Sequence, residues 1–288
     1  MKSWKLLQKM IIFANIHYGF LNSNKMNKKS TIDVEKVTNL IVNWLKDYAQ
    51  ASKVKGFVIG VSGGVDSAVT STLCAKTGFP VLCVEMPIHQ AQNQISRAKE
   101  HISWLQKTFS NVTSVASDLS ILYDVFVSTV PKSDNDVHYN LSLANTRARL
   151  RMTTLYYFAG IHNYLVVGTG NKVEDFGVGF YTKYGDGGVD LSPIADLMKS
   201  DVYAVGAYLK IATSILEAAP TDGLFGDSRT DEQQLGASYD ELEWAMEELA
   251  KSVLEKTYSA REKKVLELFN TLNMNNKHKM VSIPICRI

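Results

Sequence analysis

Cysteine is scarce in this chain. The three residues present, Cys74, Cys83 and Cys286 among 288, have no metal-ligand spacing and form no even set, which excludes a disulfide scaffold and a cysteine-bound zinc module and favours a reducing, cytosolic setting. Cys74 and Cys83 fall in apolar runs and read as small core residues. Long basic blocks are also missing, and a formal net charge of +2 argues against a general nucleic-acid binder. No apolar run is long enough to span a bilayer: the patch Met10–Phe13 is followed by Asn15, His17 and Asn22, without a small-residue cleavage site. Residues 1–29 therefore read as a loosely attached extension, with Met26 as a candidate initiator, and residues 30–288 as one domain. Repeats, low-complexity tracts and interdomain linkers are absent. A composition of 45% hydrophobic and 21% charged residues suffices for one substantial core.

What the chain does contain is organised around Gly56–Val69, GFVIGVSGGVDSAV. Phe57, Val58, Ile59 and Val61 have the pattern of a buried strand, and Ala68, Val69, Leu73 and Cys74 the spacing of a helix leaning back on it. Paired glycines let a backbone approach an anion, and a helix start supplies unpaired N–H groups and a positive dipole end. Phosphate is the natural guest, with Ser62 and Ser67 as hydroxyl donors. Asp66 beside phosphates makes sense if a cation bridges them. The lysine of a G-x-x-x-x-G-K-[ST] loop is missing, which disfavours γ-phosphoryl transfer.

Around this motif strands and helices alternate. Val37, Leu40, Ile41, Trp44, Leu45 and Tyr48 place one apolar helical face within Asp33–Tyr48. Val81–Met86 reads as a strand, Asn93–Phe109 as a helix, Val112–Ala116 as a strand, Leu141–Phe158 as a helix and Tyr164–Gly168 as a strand. Right-handed crossovers make this an α/β fold, a doubly wound parallel sheet flanked by helices, with ligands expected beyond the carboxyl ends of the strands. Further helices are expected near Ser200–Lys210, Tyr239–Leu249 and Ala260–Leu272. The glycine-rich, aromatic run Gly177–Asp190 is too long for a mere connection and reads as functional.

SGGVDS at Ser62–Ser67 resembles the pyrophosphate loop of the ATP pyrophosphatase superfamily. Together with Gly168–Glu174 (GTGNKVE) and Phe180–Pro193 (FYTKYGDGGVDLSP) it is similar to ammonia-dependent NAD synthetase, over about Met26 to the C-terminus. The resemblance implies a Rossmann-like fold of the adenine nucleotide α-hydrolase type and a cytoplasmic homodimer with the dinucleotide at the subunit interface, for which the apolar face of Asp33–Tyr48 is a natural surface. It implies neither nucleic-acid nor membrane partners. The reaction implied is attack of the deamido-NAD carboxylate on the α-phosphate of ATP, loss of pyrophosphate, and displacement of AMP from the acyl-adenylate by ammonia. Catalysis is then positioning plus charge neutralisation. A chain of this length leaves no room for a glutamine amidase domain, so free ammonia is the expected donor.

Carried over by position, the resemblance assigns Gly60, Val61, Ser62, Gly63, Gly64, Val65, Asp66 and Ser67 to the ATP phosphates, with Thr169, Lys199 and Thr221 also on ATP. It assigns Asp66 and Glu174 to Mg²⁺, and Arg149, Lys183, Asp190, His278 and Lys279 to deamido-NAD. Asp66, Asp186 and Lys199 are the catalytic candidates, Asp186 beside the incoming ammonia. Arg147 and Arg151 read as a solvated or ion-paired helix face. The chain departs from the pattern at Glu85, where many members place an adenosine-contacting Arg, by one extra residue between Glu174 and Lys183, and in Met280, where HKR becomes HKM. Two rivals stay open: another adenylating enzyme acting on a tRNA base or purine nucleotide, and a nucleotide sensor without turnover.

Overall fold

The computed structural model describes residues 31–221, 223–224, 229–251 and 257–288; the proposed extension 1–29 lies outside them. Four strands, β1 (Gly56–Gly60), β2 (Val81–Glu85), β3 (Val112–Ala116) and β4 (Tyr164–Val166), form a parallel sheet in the order β3-β2-β1-β4. The expected doubly wound α/β architecture is therefore present. Its helices are α1 (Val34–Ala51), α2 (Val65–Lys76), α3 (Gln92–Thr108), α4 (Ser120–Thr129) and α5 (Asp136–His162). After β4 come α6 (Lys199–Tyr208), α7 (Thr213–Leu216), α8 (Asp231–Leu235), α9 (Tyr239–Ala250) and α10 (Ala260–Met280).

Alternation along β1 sets the two layers, because successive strand side chains point to opposite faces. Phe57 and Ile59 enter a core with Ile41 and Leu45 of α1, Leu73 of α2 and Leu105 of α3. Val58 enters the opposite core with Leu82, Val84, Tyr123 of α4 and Ala159 of α5. A third cluster joins Val173 and Val178 to Leu242 of α9 and to Val265 and Phe269 of α10. Cys74 and Cys83 are fully buried, and burial pushes the Cys83 thiol up to about 12.

The apolar face of α1 is shared between the core and the outside: Ile41 and Leu45 are buried, whereas Leu40, Trp44 and Tyr48 are exposed. Several expectations are corrected. The helix expected over Leu141–Phe158 is longer, running from Asp136 to His162, with the Asn135 side chain capping it by accepting from the His138 N–H. Helix α4 was not marked by the periodicity. The last helix continues past Leu272 to Met280, so His278 and Lys279 stand in its final turn.

Between α2 and α3, His101 is buried with Nε2 2.9 Å from Ser71 Oγ and stacks on Trp104. Burial lowers its pKa to about 4. The unfolded chain then binds a proton near pH 6.5 that the folded chain refuses until about 4, so this site withdraws stability as pH falls through that window, by roughly 3 kcal/mol in all. Denaturant titrations of wild type and His101→Gln across pH 7 to 4 check this: the difference between them should shrink on acidification, and parallel profiles would contradict it.

Candidate active site

The strand order reverses beside β1: β2 and β3 lie to one side, and the long crossover through α5 places β4 on the other. In open α/β sheets the crevice beyond the carboxyl ends at such a point receives the ligand. Here the segments following β1 and β4 meet there, and Val61–Ser62, Gly64–Ser67, Gly168–Thr169, Glu174, Lys199 and Thr221 line one continuous cleft.

The loop after β1 is held from within. The Ser62 N–H donates to Ser67 Oγ at 3.2 Å, and Ser67 Oγ donates to the Gly64 carbonyl at 3.0 Å. Gly63 has φ +83°, and a Cβ there would lie 2.5 Å from the Gln94 carbonyl, so only glycine suits the position. Arg97 Nε ties the Gly63 carbonyl to α3 at 3.1 Å. Helix α2 opens at Val65 without a side-chain cap, which leaves first-turn N–H groups for an anion.

At the floor of the cleft, three residues far apart in sequence converge. Lys199 Nζ donates to Asp66 Oδ2 at 2.6 Å and to Glu174 Oε1 at 3.1 Å. Asn171 Nδ2 holds the other Asp66 oxygen at 3.1 Å, and Tyr239 OH donates to Glu174 Oε1 at 2.5 Å. Lys199 is only 3% exposed and lies over the Tyr239 ring. Burial alone would lower its pKa, but Asp66 and then Glu174 outweigh it and hold the ammonium charged. Removal from water, followed by Glu174 and Asp231, raises the Tyr239 hydroxyl pKa, so it serves as a donor.

Local structure explains why these groups meet. The chain after β4 turns through a π-helical segment, Val173–Val178, a wide turn of the kind found at functional sites. Lys199 is the first residue of α6, whose start is clamped by the fully buried Glu243 of α9: its carboxyl oxygens accept from Ser200 N and Oγ, each at 2.7 Å. Asn171, Asp231, Tyr239 and Glu243 were missed by sequence reasoning. Asn171 lies within the quoted GTGNK run, whereas Asp231, Tyr239 and Glu243 look like ordinary helix residues.

Asp66 and Glu174 sharing one ammonium shows that both carboxylates reach a single cation. Two carboxylates beside a phosphate loop are the protein donors magnesium takes, its remaining positions going to water and phosphate, so the residues fit that ion. Among the described residues no group of three or more His, Cys, Asp or Glu could hold a metal.

The remaining assigned residues fall into three places. Asp186 lines the cleft, and its Oδ1 accepts from the Thr182 N–H at 2.9 Å. Arg149, Lys183, His278 and Lys279 gather outside it: Arg149 donates to the Lys183 carbonyl at 3.4 Å, Lys183 to the His278 carbonyl at 2.8 Å, and Lys279 to the carbonyls of Gly179 and Tyr181, both at 2.8 Å. Asp190 lies apart from these four, accepting from Tyr156 OH at 2.9 Å and from the Val166 N–H at 2.8 Å. Arg147 and Arg151 are not a solvated face. Arg147 stacks on Tyr123 and donates to the Leu224 carbonyl, and Arg151 donates to the Met86 carbonyl and to Gln90.

A family model described as NAD synthase matches residues 37–282. The NH3-dependent NAD(+) synthetase of Carboxydothermus hydrogenoformans is 38% identical over 214 residues, 74% of this chain and 85% of that one. Among solved structures, NMN synthetase from Francisella tularensis superposes with a TM-score of 0.78 at 31% identity, over 89% of this chain and all of that one. The NH3-dependent NAD synthetase of Campylobacter jejuni gives 0.68 at 25%, with the same coverage. Matches that run from α1 through α10 and take in the whole cleft leave one conclusion: the chain belongs to the NAD synthase family.

Proposed function

We propose that this chain makes NAD from deamido-NAD, ATP and ammonia, releasing AMP and pyrophosphate. The observation that carries the reading is the convergence of Asp66, Glu174 and Lys199 beneath an anion-binding loop. A cation set against two carboxylates suits neutralisation of a leaving pyrophosphate. The first-turn N–H groups of α2 hold phosphate oxygens, Lys199 offsets charge as the α-phosphate is attacked, and Thr169 and Thr221 position ATP along the cleft walls. Asp66 and Glu174 would hold Mg²⁺, which supplies electrostatic stabilisation of the phosphates when bound. Asp186 orients ammonia, and Arg149, Lys183, Asp190, His278 and Lys279 hold the deamidated dinucleotide. Within this reading residues 30–288 act as the synthetase domain.

A second substrate calls for direct comparison, because the Francisella relative is an NMN synthetase: the corresponding nicotinate mononucleotide. Purified chain with ATP, Mg²⁺ and ammonium, offered each acid separately, should form AMP and pyrophosphate in equal amounts. Higher kcat/KM with the dinucleotide supports the first reading, and the reverse the second. ADP as the product would overturn both.

The homodimer is likewise our proposal. What supports it is a pair of exposed apolar side chains one turn apart on each of two helices, Ile121 and Val125 on α4 and Tyr157 and Ile161 on α5. Sedimentation should give a dimer, and Val125→Glu with Ile121→Glu a monomer; an unshifted dimer would place the contact elsewhere.

A further inference from the structure

The wall of the cleft opposite Glu174 holds a group for which the chemistry above has no use. Glu85 ends β2, on the other side of β1 from β4. The residue lines the cleft yet is only 7% exposed, and its Oε2 is buried without a hydrogen-bond partner. Native proteins rarely leave such an oxygen orphaned, because burying a polar atom unpaired costs about 1–3 kcal/mol, and more for a charged group. A carboxyl group on the wall of a ligand cleft, with an oxygen in this condition, is explained by a donor that arrives with the ligand.

Charge decides which part of the ligand that is. Phosphates sit on the loop after β1, facing Lys199 on the β4 side, and a carboxylate would repel them. The β2 side therefore faces the nucleoside. Its other groups fit: Met86 and Leu155 close over Gly60, within 3.1 and 3.7 Å of where a Cβ would stand, giving apolar cover for a base. Gln90, which accepts from Arg151 at 2.7 Å and donates to Gln94, adds amide groups on the same wall. An acid at the end of the second strand, following a glycine-rich turn after the first, is also where other doubly wound folds place their ribose acceptor.

We infer that Glu85 is a specificity-determining residue that accepts a hydrogen bond from a ribose hydroxyl of ATP, so that the enzyme tells ribonucleoside from deoxyribonucleoside triphosphate. The inference rests on the reading of ATP as co-substrate.

The test compares kcat/KM for ATP, 2′-deoxy-ATP, 3′-deoxy-ATP and the triphosphate of purine riboside, which lacks the 6-amino group, in full-length wild type, Glu85→Ala and Glu85→Gln. Wild type should disfavour one deoxy analogue by about tenfold or more. Glu85→Ala should lose a similar factor with ATP, mainly through KM, and then use ATP and that analogue alike. Glu85→Gln keeps one acceptor oxygen and should retain part of the preference; it carries the test if the alanine variant does not fold. An unchanged ATP-to-deoxy ratio in the variants would overturn the inference, as would a ratio that moves only for purine riboside triphosphate, which would assign Glu85 to the base. Absence of AMP from wild type with every nucleotide would instead sink the proposed reaction itself.

Discussion

Lys199→Met should reduce turnover by at least about three orders of magnitude and destabilise the fold by about 3–5 kcal/mol. Methionine is close to lysine in length and fills the channel beside Tyr239, so the loss would be of charge and hydrogen bonds rather than volume. What remains is Asp66 and Glu174 converging on a point that no longer holds a cation, in a site where Lys199 is 3% exposed. Adjacent carboxylates without a cation resist ionising together, which raises the pKa of one of them above its unfolded value. Its folded state then binds more protons than the unfolded chain, so the variant should regain stability as pH falls from 7 toward 5. Lys199→Arg keeps the charge but not the compact ammonium, and should recover stability more than turnover. Denaturant titration at pH 7 and pH 5, beside a pyrophosphate-release assay, decides the matter. A methionine variant as stable as wild type at pH 7 would mean that the lysine does not hold the two acids together.

Asp66→Asn is the complementary change. Its two oxygens accept from different donors, Lys199 at 2.6 Å and Asn171 at 3.1 Å. An asparagine amide can face only one of them with its oxygen and must turn an N–H₂ toward the other. Stability should fall by about 1–3 kcal/mol, while kcat/KM should fall about a thousandfold or more, because a carboxylate proposed to hold Mg²⁺ is lost along with a partner of Lys199. The two effects separate in measurement: circular dichroism should show a folded protein at 25 °C, with turnover nearly indifferent to added Mg²⁺. Rates close to wild type would remove Asp66 from the catalytic assignment.

The sheet and the phosphate loop were legible because their signals are local. Val112–Ala116 carries the whole of β3, and a strand-Gly-Gly-helix turn at Phe57–Leu73 allows few other conformations. Helix α4 was not legible: SILYDVFVST is rich in β-branched and aromatic residues, and with Ile121 and Val125 exposed while Tyr123 is buried, its apolar positions mark no single inward face. The π-helical turn at Val173–Val178 has no recurring pattern to read. The end of α10 was underestimated because NMNNKHKM lacks an apolar stripe; polar bonds fasten it instead, with Asn273 and Asn276 donating to the carbonyls of Gly177 and Val178 at 2.6 and 2.8 Å. In the cleft, Asp66 and Glu174 stood in recognisable runs and Lys199 was assigned by its position beyond one, whereas Tyr239 and Glu243 act on groups 65 and 43 residues away through packing that no short window contains.

The fastening of the glycine-rich run by α10 bears on how the protein is born. The phosphate loop has its ties once β1, α2 and α3 have been synthesised, but the carbonyls of Gly177, Val178, Gly179 and Tyr181 find their donors only when Asn273, Asn276 and Lys279 emerge. A nascent chain still on the ribosome can thus shape its nucleotide cradle early, while residues 177–181 wait for α10 to be synthesised.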